Sequence, residues 1–217
     1  MCGRLSINAT GEQLAKHYKK TFSSEFKGKR FNVGPAQSIP VVTAEGIQMM
    51  RFGLLPFWAK SSNQMLINAK AETILEKTTF KGLVKSHRCL VPATGFFEWD
   101  KVGDKKVPYH FKLKSRKLFS FAGLYTSRKD PDGHESFSFT IITTEPNKLV
   151  GKIHDRMPVI LDEDEESSWL NETVSPEDAV LLLNTYPEAD MTMDEVDPAV
   201  NNTRNDYGDL IKPINSR

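Results

Sequence analysis

The 217-residue chain is 39% hydrophobic, 26% charged and 10% aromatic, with a formal net charge of +1; this is ordinary globular usage and enough chain for one sizeable core. No stretch approaches the roughly 18 apolar residues of a membrane span, and the N-terminus lacks a basic-then-apolar signal pattern, so a single cytoplasmic domain is expected. The two cysteines, Cys2 and Cys89, form no Cys-x-x-Cys pair and stand near no paired histidines, which suggests neither a disulfide framework nor a zinc site.

In chain order, "MCGRL" places one cysteine directly behind the initiator methionine, where a reactive residue is either accidental or depends on being at the terminus. "TGEQLAKHY" predicts a helix, with Thr10 and Gln13 as a capping box. "SIPVVTAEGIQMMRF" predicts two strands around an Ala44-Glu45-Gly46 turn, and "NAKAETILEKTTFKGLV" predicts a helix. "RCLVPA" surrounds Cys89 with the neighbours of a small buried hydrophobe. "VPYHFKL", "KLFSFAGLY" and "SFSFTIITT" read as strands, "DEDEE" as the exposed first turn of a helix, and "SPEDAVLLLNTY" as a helix capped by Ser175 with Pro176 at its first position. Hairpins outnumber possible βαβ units. The expected class is α+β, a mainly antiparallel sheet curled into a barrel-like core with flanking helices.

The net charge hides an asymmetry. Residues 1–161 carry 26 Lys and Arg against 13 Asp and Glu, whereas residues 162–197 carry 13 acidic residues and no basic one. The cationic part is either a phosphate-binding face or solvated surface. In "TGFFEW", Glu98 sits among large aromatics; buried, it would have a raised pKa and serve as a proton donor near neutrality, while exposed it is an ordinary carboxylate on an alternating strand. In "IHDRMPVIL", His154 is either a general acid/base or a hydrogen-bonded core histidine.

Eight ordered segments, "MCGR", "FNVGPAQSIPVV", "FGLLPFWAK", "INAKAET", "CLVPATGFFEW", "FAGLY", "IHDRMPVIL" and "VNNTRND", resemble the SOS-response-associated peptidase (SRAP) family, whose members crosslink covalently to abasic sites in single-stranded DNA. The resemblance runs from residue 2 to about residue 206. It implies the SRAP fold over residues 2–217, loss of Met1, and Cys2 as the N-terminal nucleophile. Chemistry gives that position its own logic. An α-amine condenses with the aldehyde of an open abasic sugar, and a thiol on the adjacent carbon closes a thiazolidine. With a reference pKa of about 7.7–8.0, roughly a tenth of such an amine is neutral near pH 7, hundreds of times the fraction for a lysine.

The resemblance further implies that Asn68 positions the Cys2 terminus, that Glu98 exchanges protons with the sugar and helps reverse the crosslink, and that His154 shuttles protons during imine formation and any β-elimination of the 3′ phosphate. Arg4, Lys70 and Arg156 match phosphate-contacting positions, although Lys70 stands where the family commonly has arginine and offers a point charge in place of a fork. Phe52 and Trp58 keep a face on which a base could stack, against a core role for either. The partners so implied are abasic single-stranded DNA and single/double-strand junctions. Neither membrane, metal nor cofactor is called for, and the protein would be a monomer, cytoplasmic and nucleoid-associated when bound. Two other classes fit parts of the pattern. A thiol peptidase or N-terminal-nucleophile amidohydrolase would use Cys2, His154 and Asn68, and a non-enzymatic single-strand binder would use the cationic face but leaves Cys2 unexplained.

Overall fold

The computed structural model describes residues 2–23, 25–26, 28–129 and 132–214. Its elements run β1 (Leu5–Ile7), α1 (Gly11–Tyr18), β2 (Arg30–Val33), β3 (Ser38–Val42), β4 (Ile47–Phe52), β5 (Asn68–Lys70), α2 (Thr78–Ser86), β6 (Arg88–Ala93), β7 (Gly95–Val102), β8 (Lys105–Leu113), β9 (Phe119–Lys129), β10 (Glu135–Thr144), β11 (Met157–Pro158), β12 (Ile160–Leu161), α3 (Glu163–Leu170), α4 (Pro176–Ala179) and β13 (Met191–Glu195), with short 3-10 turns between them. Among the described residues no helix is long and apolar enough to cross a membrane.

Five strands close into a barrel. β10 pairs with β4, β4 with β3, β3 with β6, β6 with β9, and β9 again with β10. Only the β4–β10 contact in that ring is parallel, and closure gives each of the five strands a partner on both sides over part of its length. The lumen is filled by side chains such as Phe52 and Phe139, stacked with centroids 5.1 Å apart. A second, antiparallel sheet of order β13-β8-β7-β1-β2 lies beside the barrel. Phe96 of β7 joins the two, stacking on Phe111 at 4.9 Å and meeting Phe121 of β9 edge-on at 5.9 Å.

Local signals explain most of these elements. Thr10 and Gln13 form the expected capping box of α1, and β3 and β4 flank the expected turn in register Val42 to Ile47. Ser175 caps α4 by accepting from the Asp178 N–H, with Pro176 in the first turn. Cys89 is fully buried. Arg88 is a buried cation whose guanidinium donates to the carbonyls of Trp169 at 2.6 Å, Val84 at 2.7 Å and Val174 at 3.2 Å. It thereby satisfies carbonyls at the C-terminal ends of α2 and α3, where a positive charge is favoured.

Three expectations need correction. The helix read from "SPEDAVLLLNTY" is α-helical only over Pro176–Ala179 and tightens into a 3-10 turn at Val180–Leu182. The stretch 68–84 is not one helix: residues 68–70 form β5, residues 71–73 a 3-10 turn, and α2 starts only at Thr78. β10 leaves a free edge beyond its pairing with β4, and β5 takes it in parallel, Asn68 to Ile141 through Lys70 to Thr143; sheet pairing overrides the local helical preference. The acidic first turn of α3 is mostly exposed, but Glu166 turns inward and is buried, 3.9 Å from Arg116. Burial raises its pKa from 4.5 to about 7.

Candidate functional site

Pairing of β1 with β7, Leu5 opposite Phe96, continues outward with the Phe97 N–H donating to the Arg4 carbonyl at 3.0 Å. This carries Cys2 to the level of Glu98. Side chains alternate along β7, so Glu98 shares the inward face with Phe96 while Phe97 and Trp99 face a small separate core of Val196, Val200 and Leu210. Glu98 is therefore 2% exposed and Cys2 3%. Of the two readings of Glu98, the buried one holds. Burial raises its pKa from 4.5 to about 7, with the nearby Asp155 adding to the shift and the Cys2 contact opposing it. Burial, reinforced by the Glu98 carboxylate, likewise pushes the Cys2 thiol well above its ordinary range, so the thiol is protonated at rest.

His154 enters from the turn before β11. Its Nε2 lies 3.9 Å from Glu98 Oε2, and a sulfur, an oxygen and a nitrogen of Cys2, Glu98 and His154 all lie within 4.8 Å of one another. The ring is oriented by the backbone of Arg156, whose N–H lies 3.0 Å and whose carbonyl 3.1 Å from Nδ1; either neutral tautomer is thus held in place. The Cys2 thiol donates to the same carbonyl at 3.5 Å. Asn68, set on β5 by the β10 edge, donates its amide to the Cys2 carbonyl at 3.1 Å and to that of Ile141 at 3.3 Å, and its Oδ1 is buried with no partner among the described residues. Four residues from four distant segments thus converge on one point.

A solvent-open cavity of about 540 Å³ leads to this point, lined by Arg4, Glu98, Trp99, Lys101, Lys106, His154 and Asn201. Arg4 donates to Asn32 Oδ1 and the Val200 carbonyl, each at 2.7 Å, and lies 5.3 Å over the Trp99 ring. Trp99 in turn donates its indole N–H to Asn201 at 2.6 Å. Arg156 grips Glu72 with two hydrogen bonds of 2.8 Å and the Thr143 carbonyl at 2.7 Å. Its fork is already occupied by a carboxylate, so a phosphate there would have to compete with Glu72. Lys70 is exposed, on the strand that positions Asn68. Lys101 and Lys106 face each other across the β7–β8 ladder, a like-charge pairing that costs stability unless an anion lies nearby.

The two aromatic candidates separate. Phe52 is fully buried against Phe139, so it has no face to offer a base; the expectation is corrected to a core role, which follows from its inward position in the closed barrel. Trp58 is 45% exposed and donates to Thr79 at 3.2 Å. Sequence reasoning missed Glu72, Trp99, Asn32 and Asn201 as parts of the site. "VNNTRND" was the available signal for the last of these, since it contains Asn201 and supplies the carbonyls of Asn202 and Asn205 that, with that of Val200, accept from the Asn32 amide. Met1 lies outside the described residues.

Comparison with known proteins gives the geometry a context. The chain is 38% identical over 222 residues to the abasic site processing protein YoqW of Bacillus subtilis, covering 98% of this chain and 99% of that one. It is 34% identical over 191 residues to the abasic site processing protein HMCES of Xenopus tropicalis, covering 76% of this chain and 56% of the relative. A crystal structure of a protein from Bacteroides thetaiotaomicron superimposes with a TM-score of 0.89 at 29% identity, covering 98% of this chain and 99% of the other. The family model described as SOS response associated peptidase (SRAP) matches residues 1–203, and the chain belongs to that family.

Proposed function

We propose that this protein processes abasic sites in single-stranded DNA by forming a covalent thiazolidine crosslink through Cys2 after Met1 is removed. The names of its relatives support the lesion class. The observation that carries the reading is the convergence of the Cys2 thiol with Glu98 and His154 within 4.8 Å, at the end of a cavity that also holds Arg4, Lys101 and Lys106. Glu98, with a pKa of about 7, is about half protonated at neutral pH and can both give and take a proton.

The chemistry balances without redox. Glu98 protonates the furanose oxygen and the C1 hydroxyl loses its proton, so the ring opens to the aldehyde. The Cys2 α-amine adds to that carbon; His154 and Glu98 return protons to the departing hydroxyl, and water leaves as the imine forms. The thiol then adds across the C=N bond, its proton passing to the ring nitrogen. Aldehyde and aminothiol give thiazolidine and one water. Asn68 fixes the Cys2 carbonyl, which limits the directions in which amine and thiol can point. From the imine, removal of an α-proton by His154 would give β-elimination of the 3′ phosphate; the reverse of ring closure, with Glu98 as acid, would return the imine, and addition of water to that imine would release the DNA aldehyde and the Cys2 amine. Arg4, Lys70 and Arg156 would hold flanking phosphates.

The test uses an oligonucleotide containing uracil, with and without prior uracil excision, analysed on a denaturing gel. A heat-stable adduct is expected only with the abasic strand. It should vanish in Cys2→Ser and in a protein whose Cys2 amine is blocked by an uncleaved tag, and return when the tag is removed. A stable adduct of equal yield from the blocked protein, confirmed by intact mass, would overturn the aminothiol mechanism. Native-gel binding without an adduct would leave a single-strand binder, and neither would turn attention to a thiol hydrolase.

A further inference from the structure

The same three side chains have the composition of a metal site. Zinc is held by sulfur at about 2.3 Å and by nitrogen and oxygen at about 2.0–2.2 Å, and tetrahedral angles then set donor separations of about 3.3–3.6 Å. Here the three donors lie within 4.8 Å of one another, and the nitrogen and oxygen 3.9 Å apart. Closing from these separations to tetrahedral ones takes a contraction of about 0.5 Å for the nitrogen–oxygen pair and at most about 1.5 Å for any pair. The cysteine spacing concealed this arrangement because the ligands come from positions 2, 98 and 154.

We propose that Cys2, Glu98 and His154 bind one thiophilic divalent cation of the zinc class, and that its presence silences the crosslinking chemistry. Charge favours it: a thiolate, a carboxylate and a neutral imidazole around a dication make a neutral centre, the condition under which ions are tolerated where Cys2 and Glu98 are 3% and 2% exposed. Among the described residues Glu98 Oε1 is buried with no hydrogen-bond partner, leaving carboxylate lone pairs for a cation. The imidazole has outer-shell partners as well. With Nε2 on the metal, Nδ1–H has two acceptors, the Arg156 carbonyl at 3.1 Å and Asp155 at 3.3 Å, outer-shell contacts of the kind that fix a ligating histidine, and Nδ1 gives up the contact in which it accepts from the Arg156 N–H at 3.0 Å. Entry is through the cavity that Glu98 and His154 line. Calcium and magnesium, which need six or more oxygens, do not suit this donor set.

Binding releases the thiol proton to solvent as the sulfur–metal bond forms, together with the Glu98 proton in the molecules that carry one. The fourth position is filled by water or, once Met1 is gone, by the Cys2 amine, which closes a five-membered chelate with its own thiolate. Bound metal would occupy the nucleophile and both proton-transfer groups together. The site rests on the side chains alone; the silencing rests on the crosslinking reading above.

The full-length protein, stripped with EDTA and desalted, is titrated with Co²⁺ as the probe. One equivalent should produce a thiolate-to-cobalt charge-transfer band and the visible bands of a tetrahedral ion, both displaced by Zn²⁺. The charge-transfer band should be lost in Cys2→Ser and kept in Cys89→Ala; Glu98→Gln and His154→Ala should each weaken the apparent affinity at least tenfold. No such band at one equivalent, or one that survives Cys2→Ser in a protein folded by circular dichroism, overturns the site. Crosslinking is then compared in EDTA and in Zn²⁺. Adduct lost with Zn²⁺ and restored by EDTA supports the silencing, and adduct undiminished by Zn²⁺ overturns it. A cobalt band in a protein that forms no adduct in EDTA upholds the site and refutes the crosslinking reading instead.

Discussion

Replacing Glu98 by glutamine should change how stability depends on pH, by an amount the burial of the side chain sets. The Glu98 pKa rises from 4.5 to about 7 on folding because the carboxylate is desolvated. Between those values the native state keeps a proton that the unfolded chain has shed, so fewer protons are bound on unfolding and stability falls as pH rises. The contribution is fully present below about 4.5 and lost by the time pH passes 7. A difference of about 2.5 between the two values, at 1.36 kcal/mol for each, gives about 3 kcal/mol as an upper figure. Glutamine cannot titrate. The total curve mixes several groups: Glu166, also raised to about 7, has the same sign, whereas buried His110, lowered to about 3, makes stability rise with pH. Subtracting the two proteins cancels both. Urea unfolding of wild type and Glu98→Gln from pH 4 to 8 at fixed ionic strength should show the variant gaining on the wild type by about 3 kcal/mol across the window. A flat difference would mean that Glu98 is ionised in the fold, and the case for it as a proton donor at neutral pH would fail.

Noncovalent affinity for undamaged single strands should fall with salt at a log-log slope of about −0.7 per phosphate; Arg4→Ala and Lys70→Ala should each flatten the slope by about that amount, and an unchanged slope removes the residue from the phosphate track. Glu72→Gln should release the Arg156 fork, raising that affinity several-fold at low salt; unchanged binding would show that Arg156 serves only to orient His154. Phe52→Ala should cost about 3–5 kcal/mol of folding stability in urea titrations, while Trp58→Ala should cost little stability and, if bases stack on it, about 1–3 kcal/mol of strand binding; equal losses of stability would place both rings in the core.

What could be read from the chain was what neighbours in sequence decide. The Thr10 and Gln13 capping box, the Ala44–Gly46 turn, the Ser175 cap and the long strands β8, β9 and β10 each depend on a few adjacent residues. β5 was illegible because its conformation is set by an edge of β10 more than seventy residues away. Candidate site residues could be named through the ordered motifs of the family resemblance, and Glu98 also through its aromatic neighbours. Their mutual geometry could not, since the thiol, carboxylate and imidazole meet only through the β1–β7 pairing and the turn before β11. Phe52 misled for a related reason: an aromatic next to a basic residue looks the same whether its strand belongs to an open surface or a closed ring.

The clasp between Arg4 and the Val200 carbonyl spans 196 positions, which gives the site a schedule. At about 5–20 residues per second of synthesis, Arg4 emerges roughly 10–40 s before the residue that will hold it, and Asn32 waits nearly as long for the same segment. Glu98 and His154 also follow Cys2 by many seconds. During that delay Cys2 lacks the residues that bury it, which leaves it accessible to the processing that would uncover the Cys2 amine. On the proposed mechanism, exposure of the Cys2 amine and assembly of Glu98 and His154 around it would thereby be separable in time, by nothing more than the distance along the chain between the residues that meet.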